Sequence, residues 1–223
     1  VTEVSQLVSR VLEGRSEYAS AMTMALMHSG YLEAAADFGQ MWIASSSHQN
    51  NKKSNADREM EKWHALIHIQ LLLGREKAAR STIEQSIDES NSPRSRRIAT
   101  ARWLKNRREF SLAHRYYMQA VSENVSHEPL RIEAAEVALE LGKKEEAEEH
   151  FERYIALTDT PDLAHQKIAD VWLRFGMEKK ASAHYEKAGA VMNARGFERF
   201  LFHIRLGQYE EAKMWVERRS KTS

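Results

Sequence analysis

A short signature returns six times along this chain and constrains what it can fold into. A Gly closes one apolar stretch, and an Ala follows five residues later inside the next. Five copies carry both residues: Gly30 with Ala35, Gly74 with Ala79, Gly142 with Ala147, Gly176 with Ala181, and Gly207 with Ala212. Ala113 marks a sixth copy, with Arg108 where the Gly would stand. The steps between copies are 44, 34, 34, 34 and 31 residues. A fixed period of this length belongs to stacked helical hairpins, none of which can bury its apolar face alone.

The stretches between the marks read as helices. Ile132, Ala135, Leu139 and Leu141, and then Ala147, Phe151, Tyr154 and Ile155, recur at three- and four-residue spacing. A Gly between two such runs can take the left-handed conformation that ends a helix. The Ala that follows is small enough for the second helix to approach the first closely. Pro93, Pro129 and Pro161 mark the starts of first helices, where a missing N–H costs nothing.

The expected array is therefore six hairpins, over 16–43, 57–88, 94–122, 128–157, 161–190 and 195–219, in one domain over 1–223. The first step is ten residues too long. The excess falls in a polar insertion loop over 45–56, which has no apolar period. Residues 2–12, with Val4, Leu7, Val8 and Val11, fall where the second helix of a preceding hairpin would lie. That register, the start at Val1 and the lack of a polar cap after the last helix read as a segment of a longer array.

Composition narrows the classes. A chain with 42% hydrophobic and 29% charged residues has the material for a folded helical protein. Its formal net charge of +1 creates no global field for nucleic acid or membrane. No apolar run approaches the roughly 18 residues of a membrane span. The absence of Cys removes disulfides, thiolate metal sites and Cys nucleophiles. The compartment stays open between cytoplasm and bacterial periplasm, with a lean to the latter.

The pattern resembles the tetratricopeptide repeat family over nearly the whole chain. Gly142, Ala147, Phe151 and Ile155, and again Gly176, Ala181, Tyr185 and Ala188, match its turn glycine, close-packed alanine and second-helix aromatic. Tyr117 and Ala120 repeat the second-helix part. Ala101, Ala135 and Ala169 hold the small position of three successive first helices. Arg108, and Gly39 and Val216 at the aromatic position, depart from the pattern. The resemblance implies an all-α, right-handed superhelical solenoid that acts as a non-catalytic scaffold, with first helices lining a concave groove.

In that register the groove stripe runs through His64, His68 and Leu71, then Ile98, Arg102 and Lys105, then Ile132, Glu136 and Leu139, then Gln166, Asp170 and Leu173. Each set shares one helix face. The family's Lys/Asn/Arg clamp for a C-terminal carboxylate is not reproduced. A peptide or partner helix is the expected ligand.

One charge feature competes. Arg94, Arg96, Arg97, Arg102, Lys105, Arg107 and Arg108 place seven cations within fifteen residues. They read either as a polyanion site, since Arg forks suit phosphate and carboxylate, or as a face neutralised by the next unit's Glu133, Glu136, Glu140 and Glu145. A polymer-binding or partner-recruiting module is thus the alternative, since similar repeats occur within bacterial exopolysaccharide export proteins. Self-association through uncapped ends is a third reading. His64 and His68 share a face at zinc-compatible spacing, but the Glu of a zinc hydrolase helix and a third ligand are lacking. The five Trp read chiefly as core, and Met22, Met24 and Met27 as packing surface. Neither catalytic group, metal nor cofactor is expected.

Overall fold

The computed structural model describes residues 19–46, 56–123, 128–191 and 197–220. These form twelve α-helices and no strand. They are α1 (Ala19–His28), α2 (Leu32–Ser46), α3 (Ala56–Leu72), α4 (Glu76–Asp88), α5 (Pro93–Asn106), α6 (Phe110–Glu123), α7 (Glu128–Glu140), α8 (Lys144–Leu157), α9 (Pro161–Arg174), α10 (Glu178–Val191), α11 (Phe197–Arg205) and α12 (Tyr209–Ser220). Taken in pairs they are the six expected hairpins. The stretch over 2–12 and most of the insertion loop lie outside the described residues. Helix takes both ends of that loop, since α2 runs through Ser46 and α3 begins at Ala56.

All six turns are built alike. Gly142 N–H reaches Leu139 C=O at 2.9 Å, and Lys143 N–H reaches Ala138 C=O at 2.9 Å. This pair of bonds satisfies two carbonyls left over at the end of α7. It requires a left-handed residue, and Gly142 has φ 75°. At the third turn Arg108 N–H reaches Lys105 C=O and Glu109 N–H reaches Leu104 C=O in the same pattern, with Arg108 at φ 65°. A side chain is therefore forced into glycine's conformation, and the turn persists at a local cost of about 1–2 kcal/mol. The six signature alanines are each at most 1% exposed. This shared turn and packing give the fold its tetratricopeptide type.

The chain divides into two compact units, Val1–Thr100 and Ala101–Ser223, with the boundary inside α5. In the first unit α1 packs on α2, α2 on α3 and α3 on α4. Gly39 stands where other second helices carry an aromatic. A Cβ there would lie 3.2 Å from Leu66 Cδ1, so its bareness lets α2 close on α3. The neighbouring Phe38 fills core instead, at 1% exposure. Arg75, just after the α3 turn, reaches back to Glu33 of α2 at 2.7 Å.

In the second unit the core runs without a break through α7–α10. Ala135, Ala138, Ala147, Phe151, Ile168, Ala169, Trp172, Ala181 and Tyr185 are all buried in it. Phe151 meets Trp172 edge-on at 5.2 Å. Ala101, Ala135 and Ala169 are fully buried, as the small first-helix position requires. Trp63 and Trp172 are core residues, whereas Trp42 and Trp103 are half-buried. The side chain of Trp215 lies outside the described residues.

Candidate functional site

The second unit aligns the first helices α5, α7, α9 and α11, and charged groups link them rung by rung. Arg102 of α5 donates from Nε and Nη2 to the two carboxylate oxygens of Glu133 on α7, at 2.8 and 2.6 Å. Tyr117 of α6 donates its hydroxyl to the same carboxylate at 2.8 Å. One turn along, Glu136 takes Lys105 of α5 on one oxygen and Arg174 of α9 on the other. Asp170 of α9 accepts the Tyr185 hydroxyl and sits 3.4 Å from Arg205 of α11. Four successive first helices are thus joined by alternating cations and carboxylates.

The geometry sets the electrostatics. Burial raises the cost of charging Glu133, but hydrogen bonds from Arg102 and Tyr117 outweigh it and hold the carboxyl below its usual range. The same contact raises the Arg102 guanidinium, against a smaller opposing effect of burial. Burial and the adjacent Glu133 push the Tyr117 phenol up, so it remains a donor. Burial and the bond to Asp170 do the same for Tyr185. The Glu136 side chain is 11% exposed, against 62% for Arg174.

Of the expected stripe, this unit brings together Arg102, Lys105, Glu136 and Asp170. Gln166 stands half-buried on the same helix as Asp170, and Ile132 is partly buried against the core. Leu139 leaves the ligand-facing set, because the core shared by α7–α10 takes it at 7% exposure. Leu173 is exposed, and so is Ile204, its counterpart in the last hairpin. In the first unit His64, His68 and Leu71 are half-buried on α3, and Ile98 is half-buried on α5. Among the described residues no three His, Cys, Asp or Glu side chains gather as a metal cage would need.

The basic run does not act as one surface. Arg102 and Lys105 are engaged by Glu133 and Glu136. Arg96 is buried at 8% exposure, so it offers no open guanidinium and drops from the polyanion set. Arg107 lies over the Trp103 ring at 4.9 Å. Arg97 is half-buried, and Arg94 and Arg108 are exposed.

Sequence reasoning missed Arg174, Arg205 and the hydroxyls of Tyr117 and Tyr185 as members of this network. The rungs do carry a signal. Arg102–Glu133 and Lys105–Glu136 are both 31 residues apart, one repeat less one helical turn.

No protein-family model matches the chain, and no curated protein matches it. Solved structures similar to it include MamA of AMB-1, at 16% identity and a TM-score of 0.43, covering 84% of this chain and 97% of that one. PilF of Pseudomonas aeruginosa is similar at 14% identity and a TM-score of 0.42, with 89% and 85% covered. A Podospora anserina putative kinesin light chain with TPR-like repeats is similar at 15% identity and a TM-score of 0.44, with 78% and 94% covered. The repeat assignment rests on the six turns and buried alanines rather than on these likenesses. No described helix is long and apolar enough to cross a membrane.

Proposed function

We infer that the chain is a non-catalytic scaffold that docks a protein segment along its first helices. The observation that carries this reading is the ladder itself. Arg102, Lys105, Glu133, Glu136, Asp170, Arg174 and Arg205 line up across four helices with fixed, mutually ordered heads. Such a face needs little reordering to bind, which lowers the entropic cost of docking. Alternating signs favour a partner with its own matching pattern and reject others. The exposed Leu173 and Ile204 add apolar anchors beside Arg174 and Arg205.

Internal pairing of Arg102 and Lys105 favours a protein segment over a polyanion. A polyanion would have to compete with carboxylates already in place. The partner-recruiting role in exopolysaccharide export is one setting in which such a scaffold would serve. The test is selection from a displayed random-peptide library. The wild-type chain is expected to enrich a consensus, and Arg174→Glu with Arg205→Glu is expected to lose it while keeping its helical content. Equal enrichment by the double variant would overturn the reading.

A further inference from the structure

Away from the ladder, the second unit holds a layer of basic groups between first and second helices. His165 of α9 and His184 of α10 meet directly, Nδ1 to Nδ1 at 3.0 Å, with ring centroids 5.1 Å apart. One repeat earlier the equivalent positions hold Arg131 and His150, at 5% and 4% exposure. His150 Nε2 is buried and makes no hydrogen bond. Lys187 and Arg153, also one repeat apart, each follow the second-helix His by three residues and so share its face. Two hairpins in succession therefore close on paired basic groups, a poor choice for a joint meant to survive at every pH.

We propose that α7–α8 and α9–α10 form an acid-sensitive joint, with the His165–His184 hydrogen bond as its latch. The chemistry follows from proton count. In the neutral pair one Nδ1–H donates and the other Nδ1 accepts through its lone pair. A first added proton goes to the far nitrogen of the donor ring and leaves the bond intact. A second must go to the accepting Nδ1, which removes the lone pair and sets two cations face to face. The bond then breaks and the rings separate.

The surroundings resist protonation. Burial and then His165, Lys187 and Lys180 hold His184 down to about 4, against a smaller opposing pull from Glu148. Glu148 is itself ion-paired with Lys180. Burial and Lys187 hold His165 below its usual value. For His150, burial comes first. Arg131, His114 and Arg153 add to it, and Glu146 opposes, giving about 4. Glu146 is occupied by His114 at 2.7 Å and Lys143 at 3.1 Å. The latch thus stays shut at neutral pH and opens well below it.

Amide hydrogen exchange on the whole chain tests this, corrected for the intrinsic pH dependence of exchange. Protection in α9 and α10 is expected to fall at least tenfold more than in α6 between pH 7 and pH 4. His184→Tyr is expected to abolish the difference, since hairpin three carries Tyr116 at the equivalent position. His165→Asn, which cannot protonate, is expected to do the same and serves if the first variant does not fold. Equal loss of protection in α6 and α9–α10, or an undiminished difference in a folded variant, would overturn the proposal.

Discussion

Arg102 holds both oxygens of Glu133, with Nε and Nη2 at 2.8 and 2.6 Å. The fork ties one hairpin to the next, and Tyr117 closes the contact from α6. Half of the Arg102 side chain is exposed, so water screens much of its attraction. Tyr117 is fully buried and its hydroxyl has no such competition. Tyr117→Phe should therefore cost about 1 kcal/mol, and the Arg102–Glu133 pair itself should show a coupling of only ~0.5–1 kcal/mol in a double-mutant cycle. Urea unfolding of the four cycle members and the Tyr variant checks both.

Glu136 carries a heavier load, because it serves Lys105 and Arg174 at once and is nearly closed from solvent. Glu136→Ala would leave the Lys105 ammonium, whose side chain is 27% exposed, facing a vacated site. The expected loss is about 1–3 kcal/mol, more than for either cation removed alone. Thermal melts of Glu136→Ala, Lys105→Ala and Arg174→Ala rank the three.

Arg108 strains the one turn that lacks glycine. Arg108→Gly should stabilise the chain by about 0.5–1 kcal/mol, the relief of left-handed strain less the extra freedom glycine gives the unfolded chain. Gly142→Ala should do the reverse. Nothing lies within 4 Å of the added Cβ, so the net cost of about 0.5–1 kcal/mol is conformational alone, left-handed strain less the freedom the unfolded chain loses. Opposite shifts of the unfolding midpoint are the expected signature.

His150 and Glu133 contribute to the acid limb of stability beside the His165–His184 pair. His150 is held at about 4, below its unfolded value, so the unfolded chain binds the extra proton first. Stability is whole above about pH 6.5 and falls as pH drops towards 4, by at most about 3 kcal/mol for this residue. The Glu133 carboxyl is also depressed, so its share is intact above its unfolded pKa and is lost as pH falls through the lower folded one. His150→Tyr should make the pH 6.5–4 limb shallower, with His184 supplying the rest, and Glu133→Gln should do so for the limb below it.

The hairpins were legible because each needs a turn and a close helix approach, and Gly and Ala report those needs every 34 residues. Arg108 marks the limit of that logic. The turn's two hydrogen bonds and its flanking helices hold a residue that preference alone would exclude. The ladder was half legible: spacing placed Arg102, Lys105, Glu136 and Asp170 in one stripe, and the next unit's glutamates offered a source of neutralisation. Arg174 and Arg205 were not seen, because their roles depend on how far a long side chain reaches across to a neighbouring helix. The His165–His184 contact was invisible for a similar reason, since nineteen residues and a turn separate the pair.

The measurement that tests the account most directly is a titration of a library-selected peptide against the wild-type chain and the Arg174→Glu, Arg205→Glu variant. Heparin and single-stranded DNA would be titrated beside it at low and high salt. The account expects peptide binding that weakens at least tenfold in the variant, and no strong polyanion binding. Steeply salt-dependent polyanion binding, with peptide affinity unchanged by the variant, would contradict it and return the site to Arg94, Arg107 and Arg108.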